Sequence, residues 1–146
     1  MEQLESLDSA FIYLETRNAP MHIGSVQLYE GVEPTFNFDR YRELIRSRLP
    51  LSPVFRRRAV RVPMNLGRPY WVEDPLFDLD LHLEHVSVPR PGGWKELRAL
   101  AQDRFSTALD PGRPLWSMTF VEGLDGISNL PPGSFAVISK VHHAAA

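Results

Sequence analysis

The sequence predicts a mixed α/β (α+β) fold, and three observations carry that prediction. Strand-like alternation runs through MHIGSVQLYEG and FDLDLHLEHVSV. Helical spacing of apolar residues runs through FDRYRELIRSRL and WKELRALAQDRFSTAL. Two β-rich runs, LWSMTFVEG and SFAVISKVHH, are joined by a loop rich in glycine and proline, as expected of neighbouring antiparallel strands. The 13 prolines are spread along the chain and favour short elements over a long helical bundle.

Each element follows from local chemistry. Ser6 can cap a helix over Leu7–Glu15, with Leu7, Phe11 and Leu14 on one face, and Asn18-Ala19-Pro20 ends it. In the next strand His22, Gly24, Val26 and Leu28 point one way, and Ile23, Ser25, Gln27 and Tyr29 the other. Phe38–Leu49 is a helix with Phe38, Tyr41, Leu44, Ile45 and Leu49 as its apolar stripe, stopped by Pro50 and Pro53. Val54–Pro63 reads as a strand with an arginine-rich face, and Tyr70–Glu73 as a short extended piece. Along FDLDLHLE, Phe77, Leu79, Leu81 and Leu83 are expected in the core, with Asp78, Asp80, His82 and Glu84 in solvent. After Gly92-Gly93, a helix carries the stripe Trp94, Leu97, Ala101, Phe105 and Ala108, and Pro111 and Pro114 end it.

Composition narrows the chemistry. At 146 residues the chain fits one domain. There is no cysteine, so disulfides, zinc–thiolate sites and a cysteine nucleophile are excluded. A net charge of −2 gives no overall drive toward nucleic acid. The acidic, polar start MEQLESLDSAF has neither a basic n-region nor a long apolar core, so no signal peptide is expected. No run approaches the roughly 18–20 apolar residues of a transmembrane helix, so any membrane contact is expected to be peripheral.

Four groups of residues invite a functional reading. Asp78, Asp80, His82 and Glu84 share one strand side, but that spacing is too wide for one metal shell and suits a solvated face. Arg56, Arg57 and Arg58, with Arg61 and Arg68, suit a charged surface strand or a patch for phosphate or anionic headgroups; alternation splits them between faces. A lone His22 near a strand start reads as structural. His142 and His143 are adjacent at the end of a strand, so their side chains point in opposite directions. One can then be buried while the other faces a cleft, where histidine is well suited to move protons near neutral pH.

In context, KVHHAAA resembles the start of the HHxxxDG motif of the superfamily containing chloramphenicol acetyltransferase-like enzymes and condensation domains. LDSAFIYLET, PMHIGSVQLYEG, LGRPYWVEDPLFDLDLHLEHV and DPGRPLWSMTFVEGL resemble the bacterial bifunctional wax ester synthase/diacylglycerol acyltransferase family. These stretches cover most of the chain in similar order and spacing.

The resemblance implies a chloramphenicol acetyltransferase-like two-layer sandwich, with residues 1–146 as the N-terminal acyltransferase domain of a two-domain enzyme, ending within HHxxxDG. The Asp-Gly and the C-terminal domain, which forms the other wall of the active-site channel, are then expected on a second polypeptide. The implied reaction moves a fatty acyl group from acyl-coenzyme A, a co-substrate, to diacylglycerol or a long-chain alcohol, with no metal or resident cofactor. His143 is implied as general base and His142 as its support; Pro114, Leu115 and Trp116 match a family motif that either lines the channel or packs the strand base. The resemblance also implies a cytoplasmic protein peripherally associated with a membrane or lipid-inclusion surface. Two other readings remain: a polyketide-associated or condensation-type enzyme fed by a carrier protein, and a non-catalytic lipid-binding fragment.

Overall fold

In the computed structural model, which describes residues 1–31 and 35–146, alternation and helical spacing become seven strands and three α-helices. In chain order these are β1 (Glu2–Gln3), α1 (Ser6–Leu14), β2 (His22–Tyr29), α2 (Phe38–Arg48), β3 (Arg57–Val60), β4 (Tyr70–Glu73), β5 (Leu83–Ser87), α3 (Trp94–Ser106), β6 (Trp116–Glu122) and β7 (Phe135–His142). Short 3₁₀ turns join several of them. The strands form two sheets, a four-stranded one ordered β2-β7-β6-β5 and a small one ordered β1-β4-β3.

The two β-rich runs pair as expected: β6 and β7 are antiparallel, with Trp116 opposite Val141 and Phe120 opposite Val137. β7 also pairs with β2, so that His22 lies opposite His142 and Ser25 opposite Ser139. Being central, β7 is buried on both sides, which is why residues 135–138 are all apolar, while Lys140 and His142 further along are buried polar residues. On one face Trp116, Phe120, Phe135 and Val137 pack with Tyr41 and Leu49, bringing α2 down on the sheet. On the other, Val121, Ala136 and Ile138 pack with Leu97 and Ala101 of α3. β5 runs parallel to β6, an arrangement that needs a crossover, and α3 supplies it. The start of α3 is closed by the Glu96 carboxylate, which accepts the Gly93 N–H at 2.8 Å.

Gly24 is required by packing. A Cβ built there would lie 2.3 Å from the Phe105 ring, which sits directly on the β2 backbone. Gly24→Val is expected to lower stability by about 1–3 kcal/mol through overpacking, read as a reduced urea midpoint.

Four expectations need correction. First, α1 begins at Ser6 itself and caps on Glu5, with no side-chain cap. Its buried residues are Ser9 and Ile12, while Leu7 and Leu14 are 68% and 63% exposed. Ser9 donates its hydroxyl to the Glu5 carbonyl, and Ile12 joins Leu4, Trp71, Leu115 and Ala144 in a third cluster, which sets the roll of the helix.

Second, Pro53–Arg56 is a 3₁₀ turn that shortens the arginine-rich strand to Arg57–Val60. Proline at its start presets φ for a turn rather than an extended strand.

Third, FDLDLHLE is not one strand. Asp78 accepts the Asp80 N–H at 3.0 Å and starts a 3₁₀ turn at Leu79–Leu81. That shift in phase exposes Leu81 (53%) and buries His82 (4%), the reverse of the alternation. Fourth, Trp94 begins α3 but is 48% exposed, and Ala108 lies beyond the end of the helix.

Candidate active site

β7 ends at His142, and the next residues, His143–Ala145, form a 3₁₀ turn. The two histidines part there. The His142 side chain has 0% exposure, and its backbone N–H donates to the Leu115 carbonyl at 3.0 Å. Its Nε2 lies 2.7 Å from Oε2 of Glu15, and Nδ1 accepts the Ala144 N–H at 3.1 Å. With Nδ1 accepting and a carboxylate at the other nitrogen, the proton is assigned to Nε2. His143 is exposed. Its backbone N–H donates to the Met21 carbonyl at 2.9 Å, and its ring stacks on Phe11 at 4.8 Å between centroids. Both histidines are thus anchored, and the imidazole of His143 remains open to solvent.

Pro114, Leu115 and Trp116 lie underneath and are buried. Leu115 holds the His142 backbone, while Trp116 donates Nε1–H to the Phe55 carbonyl at 2.8 Å and stacks on His82 at 4.6 Å. These contacts all lie within the domain, and Pro114 and Trp116 also line a small cavity with Ser117 and Lys140.

A groove of about 610 Å³ opens beside the histidine turn. Ile23, Val54, Phe55, Val141 and Ala144–Ala146 form its walls, with Ser25 and Ser139 also lining it, their hydroxyls 2.7 Å apart. A separate cavity of about 330 Å³ lies between Arg58, Asp74, Leu81, His82 and Arg113, away from the pair.

The other residues singled out in the sequence do not converge. His22 donates Nε2–H to the Phe105 carbonyl at 3.0 Å, a structural contact to the end of α3. His82 donates Nδ1–H to the Trp116 carbonyl at 2.8 Å. Asp80 pairs with Arg42, and Glu84 with Arg104 and Thr119. Arg57 reaches Glu2, Arg61 the Ile12 carbonyl and Arg68 Gln3, while Arg58 lines the separate cavity. Among the described residues no cluster of three or more histidines or carboxylates is placed to hold a metal ion. No described helix is long and apolar enough to cross a membrane.

Burial pushes His22, His82 and His142 below the ordinary imidazole value; for His142 the Glu15 carboxylate opposes that effect. The sign for stability follows. Below the ordinary value of about 6.5 an unfolded chain takes up protons that these folded histidines refuse. Their contribution is therefore complete above that pH and is lost as pH falls through it toward the folded values. Thermal unfolding is expected to shift to lower temperature between about pH 7.5 and 5.5, and a flat profile would contradict the buried neutral histidines.

Sequence reasoning missed Phe11 as a partner of His143 and Glu15 as a partner of His142. Neither carries a local signal: Glu15 and His142 are 127 residues apart.

Comparison with known proteins places this geometry. Residues 4–146 match the model described as the wax ester synthase/diacylglycerol acyltransferase catalytic domain. A Mycobacterium tuberculosis protein named diacylglycerol O-acyltransferase is 37% identical over 99% of the chain and 30% of its own length. A similarly named Mycobacterium bovis protein is 34% identical over all of the chain and 30% of its own length. The solved wax ester synthase/diacylglycerol acyltransferase of Marinobacter aquaeolei VT8 superposes with a TM-score of 0.79 at 31% identity, over 99% of this chain and 35% of that one. The starter condensation domain of rhizomide synthetase, 10% identical with a TM-score of 0.73, shares the fold. The chain thus spans about 30% of the length of the relatives it matches. With the match covering nearly every residue, the chain belongs to the wax ester synthase/diacylglycerol acyltransferase catalytic-domain family.

Proposed function

We propose that residues 1–146 are the N-terminal, histidine-bearing domain of an acyl-coenzyme A-dependent O-acyltransferase, completed by a C-terminal domain that carries the Asp-Gly and the second channel wall. The acceptor is diacylglycerol, giving triacylglycerol, or a long-chain alcohol, giving a wax ester. The observation that carries this reading is the division of the pair: His142 is locked at both ring nitrogens, while His143 is anchored by backbone and stacking and keeps an accessible ring. In the step, a ring nitrogen of His143 takes the acceptor's hydroxyl proton as its oxygen attacks the thioester carbonyl carbon. The tetrahedral intermediate collapses, the C–S bond breaks, and the proton passes from the imidazolium to the departing thiolate. The products are the ester and free coenzyme A; no acyl-enzyme forms. The apolar groove beside the turn suits an acyl chain, and two lipid substrates favour peripheral contact with a membrane or lipid-inclusion surface in the cytoplasm.

The test is release of free coenzyme A thiol by the complete protein, given palmitoyl-coenzyme A with dioleoylglycerol or hexadecanol. Acceptor-dependent release, with the ester identified by mass, is the expected result. Transfer from an acyl-carrier protein but not from acyl-coenzyme A would overturn the donor assignment. Binding of palmitoyl-coenzyme A with no turnover would overturn the enzymatic reading.

A further inference from the structure

Phe11 lies in α1, and Glu15 is the extended residue that caps it, its N–H donating to the Phe11 carbonyl at 3.2 Å. Each engages a different histidine: Phe11 stacks on His143, and Glu15 bonds to Nε2 of His142. We propose that Glu15 is the positioning residue of the acyl-transfer site, fixing His142 in one tautomer and, through it, the Ala144 turn that presents His143. This inference rests on the reading of His143 as the base.

The argument is one of donors and acceptors. An ionised carboxylate can only accept, so the 2.7 Å contact assigns the ring hydrogen of His142 to Nε2. Nδ1 is left with a lone pair, and that lone pair takes the Ala144 N–H at 3.1 Å. The opposite tautomer would set N–H against N–H at Ala144 and a lone pair against the carboxylate. With 0% of the His142 side chain exposed, solvent cannot replace either partner. The Ala144 N–H demands the lone pair on Nδ1, and residue 15 must then offer an acceptor to the Nε2–H; a side chain without one leaves that buried donor unpaired.

The surroundings agree. The ionisable groups that act on His142 are Glu15 after α1, His143 next in the chain and His22 on β2, which itself faces Lys140 of β7. His22 and Lys140 are turned to the end of α3: His22 bonds to the Phe105 carbonyl, and Lys140 Nζ donates to the carbonyls of Arg104 and Thr107 at 2.8 and 2.7 Å. Glu15 is the carboxylate that reaches the ring. Burial pushes His142 below the ordinary imidazole range, which favours the neutral ring that two such bonds require. Oε1 of Glu15, meanwhile, is buried and meets no donor among the described residues. An unpaired buried oxygen opposes folding, and such exceptions gather at functional sites.

The experiment compares Glu15→Gln with Glu15→Met in the complete protein, using palmitoyl-coenzyme A and dioleoylglycerol. The two substitutes have similar volume, but glutamine keeps an acceptor oxygen and methionine does not. Glu15→Gln is expected to keep kcat within about threefold, the loss of a charge-assisted bond in exchange for a neutral one. Glu15→Met is expected to lower kcat by about 100-fold, the scale of a misplaced reacting group, with KM for palmitoyl-coenzyme A unchanged. Nitrogen-15 spectra of histidine-labelled protein should show His142 as the neutral Nε2–H tautomer in the parent and in Glu15→Gln. Equal kcat in the two variants would overturn the proposal, because a packing role does not distinguish them. An Nδ1–H tautomer or an imidazolium at His142 in the parent at neutral pH would overturn it without any variant, even if Glu15→Met does not fold. His143→Ala in the same assay keeps the two readings apart. Surviving turnover there removes the base assignment, whereas a dead His143→Ala beside equal Glu15 variants removes only the role of Glu15.

Discussion

On the proposed mechanism, His143→Ala in the complete protein is expected to lower kcat by about 10²–10⁴-fold and to leave KM for acyl-coenzyme A close to the parent value. The size reflects the loss of a positioned base, which acts in the transition state and contributes little to holding the thioester. The corresponding barrier increase is about 3–5 kcal/mol. The structure separates this from a folding effect, since His143 is exposed and contributes a stacked ring and a backbone bond rather than buried volume. The thermal midpoint of His143→Ala should therefore stay near that of the parent. His142→Ala is the contrast. Removing a fully buried ring leaves Glu15 and the Ala144 N–H unpaired, so its midpoint should fall before kinetics are considered. Near-parent kcat in His143→Ala would sink the base assignment.

Phe120→Ala is expected to cost about 3–5 kcal/mol, a large part of the roughly 5–15 kcal/mol that holds a domain together. Phe120 is 1% exposed at the centre of β6. Its ring stacks on Phe135 at 4.6 Å, tilts against Tyr41 at 5.3 Å and Phe38 at 5.8 Å, and meets His85 edge-on at 5.8 Å. It is therefore the seat of α2 on the sheet as well as a filler of volume. Equilibrium urea unfolding checks this, with the midpoint reduced and the slope retained. Trp94→Ala, which removes a larger but half-exposed ring, should change the midpoint far less. Similar losses in the two variants would mean that the core does not depend on this aromatic cluster.

What could be read from the sequence depended on how local the cause was. β7 was legible because its first half, residues 135–138, is buried on both faces and is apolar at every position. The α3 helix was legible through Leu97 and Ala101, which do reach the core. The FDLDLHLE strand failed because an aspartate there had a stronger local option, capping a turn, and the apolar pattern is blind to such competition. The roll of α1 failed for a different reason. Its sequence has apolar residues on more than one side, and the choice of Ile12 over Leu7 and Leu14 is made by distant partners such as Trp71 and Leu115. The histidine pair was visible by motif, and its split into buried and exposed members by strand geometry. Glu15 was invisible, because a single glutamate at a helix end becomes meaningful only when residues far along the chain arrive beside it.

The pairing of β2 with β7 has a consequence for biosynthesis. The strands join residues 22–29 to residues 135–142, so their inner ends, Tyr29 and Phe135, are separated by 106 positions (135 − 29). At about 5–20 residues per second, a nascent chain waits roughly 5–20 s between making the first strand and making its partner. During that interval the β2 backbone has no partner strand for its N–H and C=O groups. Closing so long a loop is slow even after release from the ribosome. Ribosome-associated chaperones that shield extended apolar segments should therefore raise the soluble yield of this protein more than that of a domain whose strands pair with their neighbours in sequence.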